Sequence, residues 1–186
     1  MKSKIIISTI IIFVIVIFSA CSTLVYDKLM YPLKFENLII ENAKENNLEP
    51  KLVASVINVE SSFREDVVSK KGAVGLMQVK PTTAKWLLET KMSLEYDKNA
   101  KVEDLLKEPE FNIKIGCFYL KYLKNKFQDM QTALFAYNAG EGNVASWLKD
   151  KNYSKDGERL NTTPFSEANN YVKKINTNLK IYSQKF

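Results

Sequence analysis

The sequence predicts an all-α domain, and three observations carry that expectation. Apolar residues recur at three- and four-residue spacings along most of the chain, and no stretch alternates with the two-residue period of a strand. One long segment, Phe111 to Phe127, is apolar on several faces and reads as a buried central helix built on Ile113, Ile115, Cys117, Phe118, Leu120, Tyr122 and Leu123. Gly116 within it would let a neighbour approach closely. The 186 residues are 46% hydrophobic and 26% charged, the composition of one globular domain, and six Gly with five Pro leave little room for a long linker.

Residues 1–30 stand apart as a targeting segment. Lys2 and Lys4 precede 22 residues, Ile5 to Tyr26, that lack any charged side chain. That length exceeds the roughly 20 residues a helix needs to cross a bilayer. With no small-x-small cleavage site evident, an uncleaved apolar anchor helix with its N-terminus inside is favoured. The alternative is a lipoprotein signal, because Phe18-Ser19-Ala20-Cys21 resembles a lipobox in which Cys21 becomes the lipidated terminus, although Phe18 fits its first position poorly. Either reading tethers a domain of residues 31–186 to the outer face of a membrane.

Within that domain the first helix carries Phe35, Leu38, Ile39 and Ala43 and is interrupted at Asn46-Asn47 and Pro50. A second begins at Pro50 with Leu52, Val53, Val56 and Ile57, and a third follows Pro81 with Ala84, Trp86, Leu87 and Leu88; a Gly-containing loop lies between them. After the central helix, two shorter helices are expected from Asp129 to about Asn138 and from about Gly142 to Lys149, with Gly140 as a C-terminal cap. Residues 151–162 read as polar loop. Thr163 reads as an N-cap with Pro164 in the first turn of a last helix, whose stripe is Phe165, Ala168, Val172, Ile175, Leu179 and Tyr182.

Composition also excludes chemistry. The chain has no histidine, which removes Ser-His-Asp and Cys-His nucleophile systems and every His-ligated metal site. Two cysteines, Cys21 and Cys117, cannot build a zinc site of CxxC type or a disulfide framework. No metal or cofactor is expected. The net charge of +6 rests almost wholly on Lys, Arg64 and Arg159 being the only arginines, so nucleic acid is not expected as a partner, whereas an anionic cell envelope would attract the same charge.

One carboxylate is misplaced for a surface residue. Glu60 follows Val53, Val56 and Ile57 by seven, four and three residues, which puts it on the apolar face of the second helix. Two readings stand at this point: a core Glu paired with a cation, or a desolvated acid in a cleft with the raised pKa that general acid work requires. Glu41 and Glu45 belong to a solvated face, and Glu103, Asp104, Glu108 and Glu110 to a mixed surface run. Glu65 and Asp66 lie in a loop, where turn formation or capping accounts for them. Trp86, Trp147 and Tyr119 read as core rather than sugar platforms, and Met77 as packing under the Gly-containing loop.

Four motifs in order then resemble one family. Glu60-Ser61-Ser62-Phe63, the run Ser69 to Val79 with Pro81 and Thr83, Ala136-Tyr137-Asn138-Ala139-Gly140, and Pro164-Phe165 with Glu167 and Tyr171-Val172 resemble the motifs of the lytic transglycosylases with a soluble-lytic-transglycosylase (SLT) domain. Ala168 stands where that family usually has Thr. The resemblance spans about residues 35 to 184 and implies a lysozyme-like fold of the goose-type kind. It implies an enzyme acting on peptidoglycan glycan strands at the bond between N-acetylmuramic acid and N-acetylglucosamine, leaving 1,6-anhydro ends. Glu60 would be the catalytic acid and then base, and Ser61, Ser69, Gln78, Tyr137, Asn138 and Tyr171 would bind substrate. Tyr137 and Tyr171 have hydroxyls suited to Glu60 or to an acetamido group, and Gln78 and Ser69 suit sugar amides and hydroxyls. A hydrolytic muramidase of the same fold and a catalytically silent wall-binding protein remain open, and a monomer is assumed.

Overall fold

A computed structural model describes residues 15, 17–19 and 25–186. The expected apolar helix and the Cys21 signal fall mostly outside those residues; among the described ones, no helix is long and apolar enough to cross a membrane. The chain divides into two compact units, residues 1–32 and 33–186. Of the first, residues 25–30 are helical.

The second unit is helical, and its described residues hold no strand, only isolated bridges pairing Val74 with Val68 and with Val79. Its helices are α1 (Glu36–Glu45), α2 (Pro50–Ser61), α3 (Pro81–Thr90), α4 (Val102–Leu105), α5 (Pro109–Phe127), α6 (Met130–Ala139), α7 (Glu141–Trp147) and α8 (Ser166–Tyr182). Three of them, α2, α3 and α5, begin with proline, whose fixed φ and missing N–H suit the first helical position. Asp129 caps α6, its carboxylate accepting from the Thr132 amide at 2.8 Å. Gly140, at φ 89°, ends α6 and starts α7 in one residue, so the two helices meet at a sharp corner.

The central helix is α5, which packs against α1, α3 and α6, while α2 lies along α8. Its Ile113, Ile115, Cys117, Leu120 and Leu123 are wholly buried. Gly116 faces Met77: a Cβ there would overlap the Met77 side chain, which identifies the neighbour that the sequence left unnamed.

Two expectations need correction. The short helix α4 lies within the run read only as charged surface; four residues are too few for a periodic apolar pattern. The last helix starts at Ser166, not at Thr163. The Thr163 hydroxyl accepts from the Phe165 amide at 3.2 Å, and Asn169 reaches back with Oδ1 to the Thr163 amide (2.9 Å) and Nδ2 to its carbonyl (2.8 Å). The residues before α8 therefore form an interlocked turn rather than its first turn.

Candidate active site

Glu60 occupies the last turn of α2, and the chain turns away immediately after it. Ser62 and Phe63 both have positive φ, 53° and 60°, and the Phe63 ring is buried at 1% exposure to anchor the turn. The loop that follows returns through Ser69 to Val79 and forms one wall of a cleft of about 420 Å³. Glu60, Ser69, Lys70, Lys71, Gln78, Lys80, Thr83, Tyr119, Tyr137, Asn138, Gly140 and Glu167 line it. Elements far apart in sequence thus meet around one carboxyl.

The loop is fixed from beneath by a buried polar residue. Asn112 on α5 accepts the Met77 amide through Oδ1 at 2.7 Å and donates through Nδ2 to the carbonyls of Val74 (2.9 Å) and Leu106 (2.7 Å). Gly75 lies against it at φ 77°, where a Cβ would overlap Asn112 and the Leu106 carbonyl. Here glycine is needed for close approach and for its left-handed backbone.

Burial pushes the Glu60 carboxyl up to about 7 from its ordinary 4.5; the Tyr171 hydroxyl opposes this and the negative charge of Glu167 adds to it. Near neutral pH the group therefore exists in both protonation states. The Tyr171 hydroxyl is buried beside Glu60 and favours its charged form, yet it lies outside the geometry of a full hydrogen bond to any described partner. Burial, then the nearby Glu60, holds the Tyr171 phenol well above its usual range.

Tyr137 lines the cleft and donates to the Met77 carbonyl at 2.8 Å, tying α6 to the loop. Burial and the Glu60 charge raise its phenol as well. Gln78, at φ 50°, spends its Nε2 on the carbonyls of Val67 (3.0 Å) and Gly75 (2.9 Å), so that its amide both lines the cleft and braces the loop. Ser69 accepts the Ala73 amide at 3.0 Å in the same loop. Asn138 lines the cleft beside Gly140.

Of the residues expected at a site, Glu60, Ser69, Gln78, Tyr137 and Asn138 come together on the cleft, and Tyr171 stands behind Glu60. Ser61 does not join them: it is 1% exposed, and its hydroxyl donates to the Ile57 carbonyl at 3.2 Å. Glu65 and Asp66 are exposed and are not among the lining residues. Sequence reasoning missed the cleft positions of Lys70, Lys71 and Lys80, took Tyr119 for core although it lines the cleft, and gave Glu167 no place beside Glu60. The four-residue spacing of Glu167 and Tyr171 on α8 was the signal that could have found the latter. Lys71 donates to both Glu167 oxygens, at 3.0 and 3.1 Å, joining the loop to the first turn of α8. Among the described residues no cluster of His, Cys, Asp or Glu could hold a metal ion.

A helical domain whose central helix supports a cleft around one desolvated carboxyl is of the lysozyme-like class. The chain matches the 70-kDa soluble lytic transglycosylase of Escherichia coli with a TM-score of 0.71 at 28% identity, over 85% of this chain and 26% of that one. It matches an inactive variant of the Pseudomonas aeruginosa lytic transglycosylase Slt with a TM-score of 0.70 at 29% identity, over 86% and 25% of the two chains. Residues 37–160 match the family described as the transglycosylase SLT domain, and the chain belongs to that family. Its curated relatives include the soluble lytic murein transglycosylase of Salmonella typhimurium, 32% identical over 78% of this chain and 22% of that protein. The membrane-bound lytic murein transglycosylase C of Actinobacillus pleuropneumoniae is also 32% identical, over 74% of this chain and 42% of that protein. The chain thus spans less than half the length of either relative.

Proposed function

We propose that the chain is a peptidoglycan lytic transglycosylase, and the observation that carries this reading is the buried Glu60 carboxyl, raised to about 7, at the wall of the cleft. An acid of that pKa can serve as proton donor and then as proton acceptor in one catalytic cycle. Protonated Glu60 gives its proton to the glycosidic oxygen as the bond from muramic acid C1 breaks. The resulting carboxylate takes the proton of the muramic acid C6 hydroxyl as that oxygen bonds to C1. The product is a 1,6-anhydro end, with no water consumed and Glu60 protonated again.

The second carboxylate, Glu167, is engaged by Lys71, which fits a mechanism that asks for one acid. Tyr171 and Tyr137 surround Glu60, the former favouring its anion after proton transfer. Ser69, Gln78 and Asn138 offer hydrogen bonds to sugar hydroxyls and acetamides. Ser61 acts from behind, securing the turn that carries Glu60.

Residues 31–186 form the catalytic domain in this reading, and residues 1–30 tether it to the cell envelope with the cleft outside the cytoplasm. The membrane-bound description of the Actinobacillus relative supports the tether. Intact mass after membrane extraction checks it, since a diacylated chain beginning at Cys21 would overturn the uncleaved anchor. Activity is tested by incubating the full chain with purified peptidoglycan and weighing the released muropeptides. Anhydro ends are expected; reducing ends would make it a hydrolytic muramidase, and no release from several wall types would make it a binding protein.

A further inference from the structure

Three exposed lysines, Lys70, Lys71 and Lys80, rim the cleft that holds Glu60. Two carboxyls face them. One, Glu60, is held toward its neutral form, and the other, Glu167, is taken up by Lys71. Lys70 and Lys80 make no ion pair among the described residues, so the rim carries an excess of positive charge beside the point of cleavage. The sugars of a peptidoglycan strand are uncharged. Its negative charge resides on the carboxylates of the peptide attached to each muramic acid, and hydroxyls and acetamides give no reason for three ammonium groups. Lysine is a compact charge on a flexible stem, which suits the carboxylates of a mobile peptide better than rigid bidentate recognition would.

We propose that Lys70, Lys71 and Lys80 form a subsite for the carboxylates of the muramic acid peptide, so that the chain acts on strands with free peptide carboxylates in preference to strands on which they are blocked. This rests on the transglycosylase reading above and names its substrate class. Lys71 has two settings. In the free protein it ties the loop to α8 through both oxygens of Glu167; with a strand in the cleft it exchanges that carboxylate for one on the peptide. The tie across the cleft is thereby released as a suitable strand enters. Because these ions are exposed, added salt weakens the preference.

The test compares kcat/KM of the full chain on two substrates from one wall preparation, strands with their peptide carboxylates free and the same strands with those carboxylates converted to uncharged amides. An amidase would not serve, because it leaves a new carboxylate on each muramic acid. The ratio cancels any general effect of a substitution on folding or turnover. We expect the strands with free carboxylates to be preferred, the preference falling about threefold in Lys71→Gln and about tenfold when Lys70, Lys71 and Lys80 are all changed to Gln. A ratio unchanged in the triple variant overturns the subsite. Cosedimentation of Glu60→Gln chains with the same two substrates reads binding without turnover. If the unaltered chain cleaves neither substrate, the transglycosylase reading fails, and cosedimentation still decides the subsite. Lysine-dependent retention by a wall phosphate polymer, but not by peptide-bearing strands, would also overturn it.

Discussion

At the scale of single residues, Glu60 ties stability to pH in a direction opposite to that of most carboxylates. Its folded pKa of about 7 lies above the ordinary 4.5, so its contribution to stability is fully present below pH 4.5 and is lost as pH rises through 7. The shift corresponds to about 3 kcal/mol by linkage. Denaturant unfolding at pH 4.5 and pH 8 should show Glu60→Gln gaining on the parent chain at the higher pH, and cleavage should be abolished in that variant. In the parent, kcat/KM should fall above about pH 7 as the acid form disappears. Tyr171→Phe separates the two effects. Losing a hydroxyl that favours the anion raises Glu60 further and moves the alkaline limb upward, with lower turnover. At pH 4.5 stability should stay level or rise by up to about 1 kcal/mol, because that hydroxyl is buried without a full hydrogen bond, and at pH 8 the gain should shrink or reverse as the Glu60 anion lacks the hydroxyl that favours it. The place of Glu60 on an apolar face was legible from spacing, but spacing left a core ion pair open as well, and only the four ordered motifs singled Glu60 out as the acid. The Lys71–Glu167 pair was not, since its partners lie 96 residues apart and only the tertiary fold joins them.

At the scale of elements, the loop between α2 and α3 depends on α5 more than on its own residues. Asn112→Ala would leave one buried amide and two buried carbonyls without their partner, and should cost about 3–5 kcal/mol in chemical unfolding. Gly75→Ala should cost about 2–4 kcal/mol through overlap and an unfavourable φ. Both should reduce cleavage by more than their loss of folded chain explains, because Gln78 and Ser69 ride on that loop. The long helices were readable from apolar period, with Pro50 and Pro81 marking the starts of α2 and α3, whereas α5 starts at Pro109, two residues before its apolar run. Asn112 was not, because a buried polar residue inside an apolar run gives no sign of what it binds. Thr163 misled for a related reason: its hydroxyl serves a local turn with Asn169, and nothing in the sequence distinguishes that from a cap.

At the scale of the whole molecule, the division at residues 32 and 33 leaves every buried apolar side chain of the described residues within residues 33–186. Expressed alone, they should unfold in one cooperative transition with the midpoint of the full chain, and a lower midpoint or a second transition would refute the division. The fit of Met77 over Gly116 also constrains how sequences of this fold can diverge. Enlarging residue 116 first would displace Met77, whose carbonyl receives the Tyr137 hydroxyl, and would disturb the cleft from beneath. Shrinking residue 77 first opens room for the later change. The two positions therefore favour one order of substitution, a smaller residue at 77 preceding any side chain at 116.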